Sequence, residues 1–86
     1  MNALKEGVKE IVIAERFIRK FIEKQYSFFS EKKLKTKVKE ILIGYEGINI
    51  SKGKIFVITR LPEGIKIIID EKGNFRDFDE FFLLRR

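Results

Sequence analysis

The spacing of the apolar residues changes at Gly44, and this change constrains the fold more than any other feature of the sequence. From Leu4 to about Phe29, apolar residues recur every three or four positions with charged residues between them, as in an amphipathic helix. Beyond Gly44, short apolar runs are separated by glycine-containing turns, a pattern typical of strands. No linker divides the two parts, so we expect one α+β domain covering residues 1–86.

Three strands are predicted between residues 48 and 70. Lys52 and Gly53 form a short hairpin loop between the first two strands, and Pro62 and Gly64 occupy the next turn. These connections are too short for a parallel crossover, so the strands form an antiparallel meander against which the long N-terminal helix packs. The predicted core contains Leu4, Val8, Ile11, Ile18, Phe21, Ile22, Ile50, Val57, Ile67 and Ile69.

Residues 30–43 allow two interpretations. As a helix, Ser30 is an N-cap, Gly44 is a C-cap and the apolar residues between them share one face. As a strand, apolar residues and threonine alternate with lysines, but the alternation fails at Glu40. The helix is favoured, although both interpretations stay open at this point.

The C-terminal segment, from Phe75 to Arg86, contains four of the nine phenylalanines. Asp77 followed by Glu80 is typical of a helix start, and Arg85 and Arg86 suit a helix C-terminus. The segment is therefore compatible with a short C-terminal helix, while Phe75 alone could continue the sheet.

The chain has no cysteine and no histidine. Disulfides, thiolate nucleophiles and thiolate zinc sites are therefore excluded, and the commonest metal ligand and proton shuttle is missing. Asp77, Asp79 and Glu80 form an acidic cluster, but acids at a helix start also complement the helix dipole, and we expect no metal site and no cofactor. Whether the chain is an enzyme stays open, with the composition favouring a non-catalytic role.

One catalytic hypothesis survives this composition. A ribonuclease can work through lysine, arginine, tyrosine and glutamate alone, and Tyr45, Glu46, Arg60 and Arg76 are the candidates. Nothing in the sequence places these four side chains together.

No apolar stretch is long enough to cross a membrane, and the N-terminus lacks the features of a secretory signal. A cytoplasmic location without membrane association is the expectation. Fourteen isoleucines and thirteen lysines, with single Gln and Met residues, are typical of hyperthermophile proteins and also of AT-rich genomes. A thermophilic source is the favoured interpretation.

The net charge of +6 is unevenly distributed along the chain. Residues 1–39 carry all of the excess, because residues 40–86 hold eight basic and eight acidic residues. The densest run contains five lysines that could contact the phosphates of DNA or RNA: Lys32, Lys33, Lys35, Lys37 and Lys39. Tyr45 and Phe56 are the aromatic residues expected near this run, and no base-reading motif accompanies it.

The strand from Ile55 to Leu61 is apolar on both faces, so both sides of the sheet need to be covered. The long helix covers one side, and the C-terminal segment or a second subunit must cover the other. The predicted interface residues are Phe56, Ile58, Phe78, Phe81 and Phe82. The favoured function is therefore a self-associating protein-interaction or regulatory module, a homo-oligomer or a binder of another protein, with nucleic-acid binding as the alternative.

Overall fold

The computed structural model describes residues 3–78, with side chains from Lys9 onward. Two helices are followed by a four-stranded antiparallel sheet, which confirms the predicted α+β fold with its long N-terminal helix packed on a meander. In chain order the elements are α1 (Ala3–Gln25), α2 (Glu31–Leu42), β1 (Tyr45–Ser51), β2 (Lys54–Arg60), β3 (Lys66–Asp70) and β4 (Phe75–Asp77).

Helix α1 ends at Gln25, four residues before the end predicted from periodicity. The apolar spacing continues through Phe29, but Ser30 begins a new helix by capping it, and this requires an intervening turn. The Ser30 side chain accepts a hydrogen bond from the Lys33 amide at 3.2 Å. A cap of this kind satisfies an amide that the first helical turn leaves unpaired, so the chain turns at residues 26–30.

Residues 31–42 are helical, as favoured over the strand interpretation. Leu34, Val38 and Ile41 share one buried face of α2, in the spacing that only a helix allows. The predicted C-cap at Gly44 is one residue too late, because Ile43 is the capping residue. Gly44 instead packs against the main chain of Arg60, where a Cβ atom would overlap the Arg60 carbonyl.

The strands are ordered β1-β2-β3-β4, so the three-strand meander predicted from turn spacing is present and gains a fourth strand. Lys52 and Gly53 form the first hairpin loop with φ values of 52° and 76°. Positive φ at both positions is the geometry that matches the twist of the flanking strands. Phe75 continues the sheet through β4, while the short C-terminal helix proposed beyond it lies outside the described residues.

The core lies between the two helices and one face of the sheet. Five buried residues of α1 meet three from α2 and three aliphatic residues of the sheet: Ala14, Phe17, Ile18, Phe21, Ile22, Leu34, Val38, Ile41, Val57, Ile67 and Ile69. Thr59 is buried beside them and donates a hydrogen bond to the Ile41 carbonyl at 3.1 Å. This bond links the end of α2 to the middle of the sheet.

Two predicted core residues are exposed. Ile11 is 40% exposed and Ile50 is 68% exposed, so assigning them to the core was wrong. Ile11 precedes Ala14, the first buried core residue of α1, and Ile50 is on the edge strand β1 near the hairpin tip. The side chains of Leu4 and Val8 lie outside the described residues.

Candidate functional site

The five candidate lysines lie on α2, and the helix divides them between two sides. Lys33 and Lys37 are one turn apart on one side. Lys32, Lys35 and Lys39, at positions i, i+3 and i+7, follow one another along the other side, and we call these three the lysine row. The run that is continuous in sequence is therefore not one cluster in space.

The lysines on the two sides differ in whether their ammonium groups already have partners within the chain. Lys37 forms an ion pair with Glu40 at 3.4 Å, and the Lys33 ammonium lies over the Phe29 ring, 5.2 Å from its centroid. Among the described residues, no carboxylate oxygen lies within 4.0 Å of an ammonium of the lysine row. The lysine row is therefore the part of the predicted basic segment that is most available to an anionic partner.

Helix α1 borders the lysine row across a shallow groove of about 180 Å³. Arg19 on its wall donates two hydrogen bonds to the Glu31 carboxylate, at 2.8 and 2.9 Å, and lies 3.4 Å from Glu23. Hydrogen bonding from Arg19 lowers the pKa of Glu31. The acid at the start of α2 is thereby held mainly by α1, while the charge of Lys35 in the lysine row also lowers the pKa of Glu31 and Glu15 of α1 lines the same groove.

Three aromatic residues lie together in and beside the turn that precedes α2. The Tyr26 and Phe29 rings are stacked, with centroids 4.7 Å apart and planes 4° from parallel. Phe28 contacts both edge to face, at 6.3 and 5.2 Å, and is 78% exposed. We call Tyr26, Phe28 and Phe29 the aromatic cluster. Sequence reasoning missed it because these residues were assigned to the amphipathic helix rather than to a surface turn.

The predicted dimer interface is on the sheet face that points away from the helices. Phe56, Ile58 and Phe78 are half-buried there, and the Lys66 ammonium lies 5.0 Å from the centroid of the Phe78 ring. Ile68, on the same face, is only 1% exposed. The other two predicted interface residues, Phe81 and Phe82, lie outside the described residues. This face is already largely covered within one chain.

Strand β1 forms an open edge of the sheet, since in residues 3–78 its only strand neighbour is β2. Ser51 and Lys54 close the two-residue hairpin loop and so form a hydrogen-bonded pair, and such pairs alternate along antiparallel strands. The main-chain N–H and C=O groups of Ile48 and Ile50 therefore point away from β2. We call this side of the strand the β1 edge.

Aliphatic side chains are exposed around the β1 edge. Ile50 and Ile55 form a cross-strand pair near the hairpin tip, and Ile43 stands just before β1. Ile11 and Val12 follow Glu10, whose carboxylate accepts a hydrogen bond from the Tyr45 hydroxyl of β1 at 2.8 Å. The five exposed residues are Ile11, Val12, Ile43, Ile50 and Ile55.

Asn49 is at the middle of the regular part of β1, on the face that points away from the helices. Its side-chain oxygen Oδ1 is buried and accepts no hydrogen bond from the part of the chain that the structure describes. An unpaired buried polar atom is unfavourable because it has lost its bonds to water. The Asn49 side chain is therefore incompletely hydrogen-bonded, at a position beside the open strand edge.

The four candidate catalytic residues do not form one site. The Tyr45 hydroxyl is bonded to Glu10, and burial together with this bond raises the pKa of Tyr45 to about 12. Glu46 is held by Lys66 at 2.9 Å and Arg60 at 3.2 Å, and hydrogen bonding from Lys66 lowers the pKa of its carboxyl.

Arg76, the fourth candidate, is on β4, two strands away from β2.

Within the described residues, no cluster of three or more acidic side chains could hold a metal ion, and of the acidic cluster only Asp77 lies in this range. No helix in the described part of the chain is long and apolar enough to span a bilayer.

Comparisons of this chain with protein-family models, with curated protein sequences and with solved structures found no match.

Proposed function

We propose that this chain is a self-associating interaction module, and that two copies pair through the β1 edge. The observation that carries the proposal is a seven-residue edge strand whose outward main-chain groups are open and whose borders are aliphatic. Such edges pair readily with other strands unless charges, proline or a covering element protect them. The contact surface therefore differs from the one predicted from the sequence.

A two-fold axis through Asn49 satisfies the geometry of such a pair. The outward main-chain groups of Ile48 then lie opposite those of Ile50 in the second copy. Each of the two symmetry-related pairs exchanges two main-chain hydrogen bonds, about four in all. The exposed Ile50 side chain packs against the half-buried Ile48 of the second copy. The two Asn49 side chains face each other across the axis, on the sheet face that points away from the helices.

The charges of β1 favour this arrangement. Glu46 is the only charged residue of the strand, and Arg60 and Lys66 of the same chain hold its carboxylate. Pairing two copies therefore brings no uncompensated like charges together. Two paired strands alone cover less than the roughly 1,200 Å² of a stable interface, so the bordering aliphatic residues must contribute as well.

Light scattering tests the proposal, with a mass of twice 10.2 kDa as the expected result at micromolar concentration. Ile50→Lys should restore the monomer, because a lysine on an edge strand opposes pairing. Ile65→Lys is the matched control, since Ile65 is 54% exposed in the turn between β2 and β3 and should leave the dimer intact. Circular dichroism confirms that each variant is folded.

Asn49→Asp tests the position of the two-fold axis. At neutral pH it places two carboxylates opposite each other and should dissociate the dimer, while acidification that protonates them should restore it. A chain that stays monomeric at all concentrations would refute self-association. A dimer that resists Ile50→Lys but dissociates with Ile58→Asp would place the interface on the sheet face that points away from the helices, as predicted from the sequence.

A further inference from the structure

The aromatic cluster is an exposed and ordered surface that the proposed dimer does not use. The Phe28 ring is perpendicular to the stacked rings of Tyr26 and Phe29, and most of its surface is open to solvent. Tyr26 and Phe28 are both exposed and in contact, and contiguous exposed apolar patches mark interaction sites. We therefore expect the aromatic cluster to bind a partner, whose chemical class follows from the residues around it.

The main chain holds the aromatic cluster in place. The Tyr26 amide donates to the Ile22 carbonyl at 2.8 Å, and the Phe29 amide donates to the Tyr26 carbonyl at 3.1 Å. Ser30 then caps α2. Because the turn is fixed at both ends, a ligand that stacks on Phe28 would meet a surface that is already formed, and little ordering entropy would be lost on binding.

The surroundings of the aromatic cluster are positively charged. Lys33 lies over the Phe29 ring, and the lysine row begins at Lys32, three residues after the cluster. The nearest acid along the chain, Glu31, is paired with Arg19. An anionic ligand with flat faces matches both features, since its rings can stack on the aromatic residue and its charges can approach the lysines.

We propose that the aromatic cluster and the lysine row bind single-stranded nucleic acid. One base stacks on the exposed face of Phe28, and the backbone crosses the first turn of α2 from Lys33, beside the aromatic cluster, to Lys32 before it follows Lys35 and Lys39. The row spans about 10 Å along the helix axis, long enough to follow more than one phosphate. Stacking on aromatic residues combined with a basic track is the usual way in which proteins hold single strands without reading their sequence.

A single strand fits this surface better than a duplex or a membrane. Base faces are available for stacking only when they are unpaired, so a duplex would offer phosphates to the lysine row and nothing to Phe28. A membrane-surface helix presents a continuous apolar face to the lipid. The apolar face of α2 is turned to the core, where Leu34, Val38 and Ile41 are buried.

Fluorescence anisotropy of a labelled deoxythymidine oligonucleotide at low salt tests the proposal. Phe28→Ala should weaken binding by about ten-fold or more, because one stacked base is lost. Ile65→Ala removes an exposed aliphatic side chain in the β2–β3 turn and should leave the affinity unchanged. The affinity should also fall as salt increases, with a smaller slope after Lys35→Ala, since fewer counterions are then released.

Phe28→Trp supplies an independent signal. The chain has no tryptophan, so this variant carries a single indole, which should keep the affinity and lose fluorescence when a base stacks on it. The Ile50→Lys variant, which is expected to be monomeric, should bind the oligonucleotide with the affinity of the unchanged chain. Oligonucleotide binding and dimer formation can therefore fail independently of each other.

Three results would overturn the proposal. The first is the absence of oligonucleotide binding at low salt, and the second is salt-dependent binding that Phe28→Ala leaves unchanged. The third is preference for a duplex of the same length. Phe28-dependent binding to vesicles of anionic lipid, without oligonucleotide binding, would assign the aromatic cluster to a membrane surface instead.

Discussion

Gly73 provides the sharpest test of how the sheet docks on α1. It lies in the turn between β3 and β4, is buried and has a φ of 83°. A Cβ atom at this position would lie 2.6 Å from the carbonyl carbon of Lys20 and 2.8 Å from its oxygen. The main chain of the turn therefore rests directly on the main chain of α1.

Gly73→Ala should destabilise the fold through two effects. A non-glycine residue in left-handed backbone costs about 1–2 kcal/mol. The overlap with the α1 main chain cannot be relieved by a side-chain rotation, and forced repacking of this kind costs about 1–3 kcal/mol. We therefore expect the free energy of unfolding to fall by about 2–5 kcal/mol.

Gly53→Ala is the matched control, because Gly53 has a similar φ of 76° and a Cβ atom there would meet nothing within 4 Å. It should lower the free energy of unfolding by the backbone cost alone, about 1–2 kcal/mol. Urea denaturation followed by circular dichroism at equal protein concentration measures both variants. Equal losses for Gly53→Ala and Gly73→Ala would refute the close approach of the turn to α1.

Ile67→Ala should lower the free energy of unfolding by about 2–5 kcal/mol because Ile67 is buried, whereas Ile11→Ala should change it by less than about 1 kcal/mol. Thr59→Val should cost about 1 kcal/mol in the same urea assay, through loss of the hydrogen bond to the end of α2, and increased stability would contradict this. Tyr45 binds its proton more tightly when folded, with a pKa of about 12, so its contribution to stability is complete below the unfolded pKa of about 10 and declines as the pH rises towards 12. Tyr45→Phe should remove this alkaline decline, and an unchanged profile of unfolding against pH would contradict the assignment.

The lysine run shows how far a sequence pattern predicts a surface. Five lysines within eight positions predicted a basic segment, and residues 31–42 do present all five away from the core. Winding them on a helix separates Lys33 and Lys37 from the lysine row, and the capping turn brings the aromatic cluster to the start of the same helix. The sequence does not reveal the aromatic partners, because helical periodicity also accommodates residues 26–29.

The interface prediction shows a different limit. Alternation correctly indicated that β2 is apolar on both faces, but Ile68 of the neighbouring strand is already buried on the face assigned to a partner. The β1 edge was not predicted at all, since Ile50 was assigned to the core. Which strand is at the edge of a sheet depends on how strands pair, and pairing joins residues that are distant in sequence.

The sequence by itself determined the local structure: an amphipathic helix, a capped second helix at Ser30 and strands divided by glycine turns. These follow from side-chain periodicity and backbone preferences, which act between near neighbours. Only the tertiary structure decided that Ile50 and Phe28 are exposed, that Arg19 pairs with Glu31 and that β1 has an open edge. Exposure and pairing depend on which distant segments pack together, and a pattern of near neighbours carries no information about that packing.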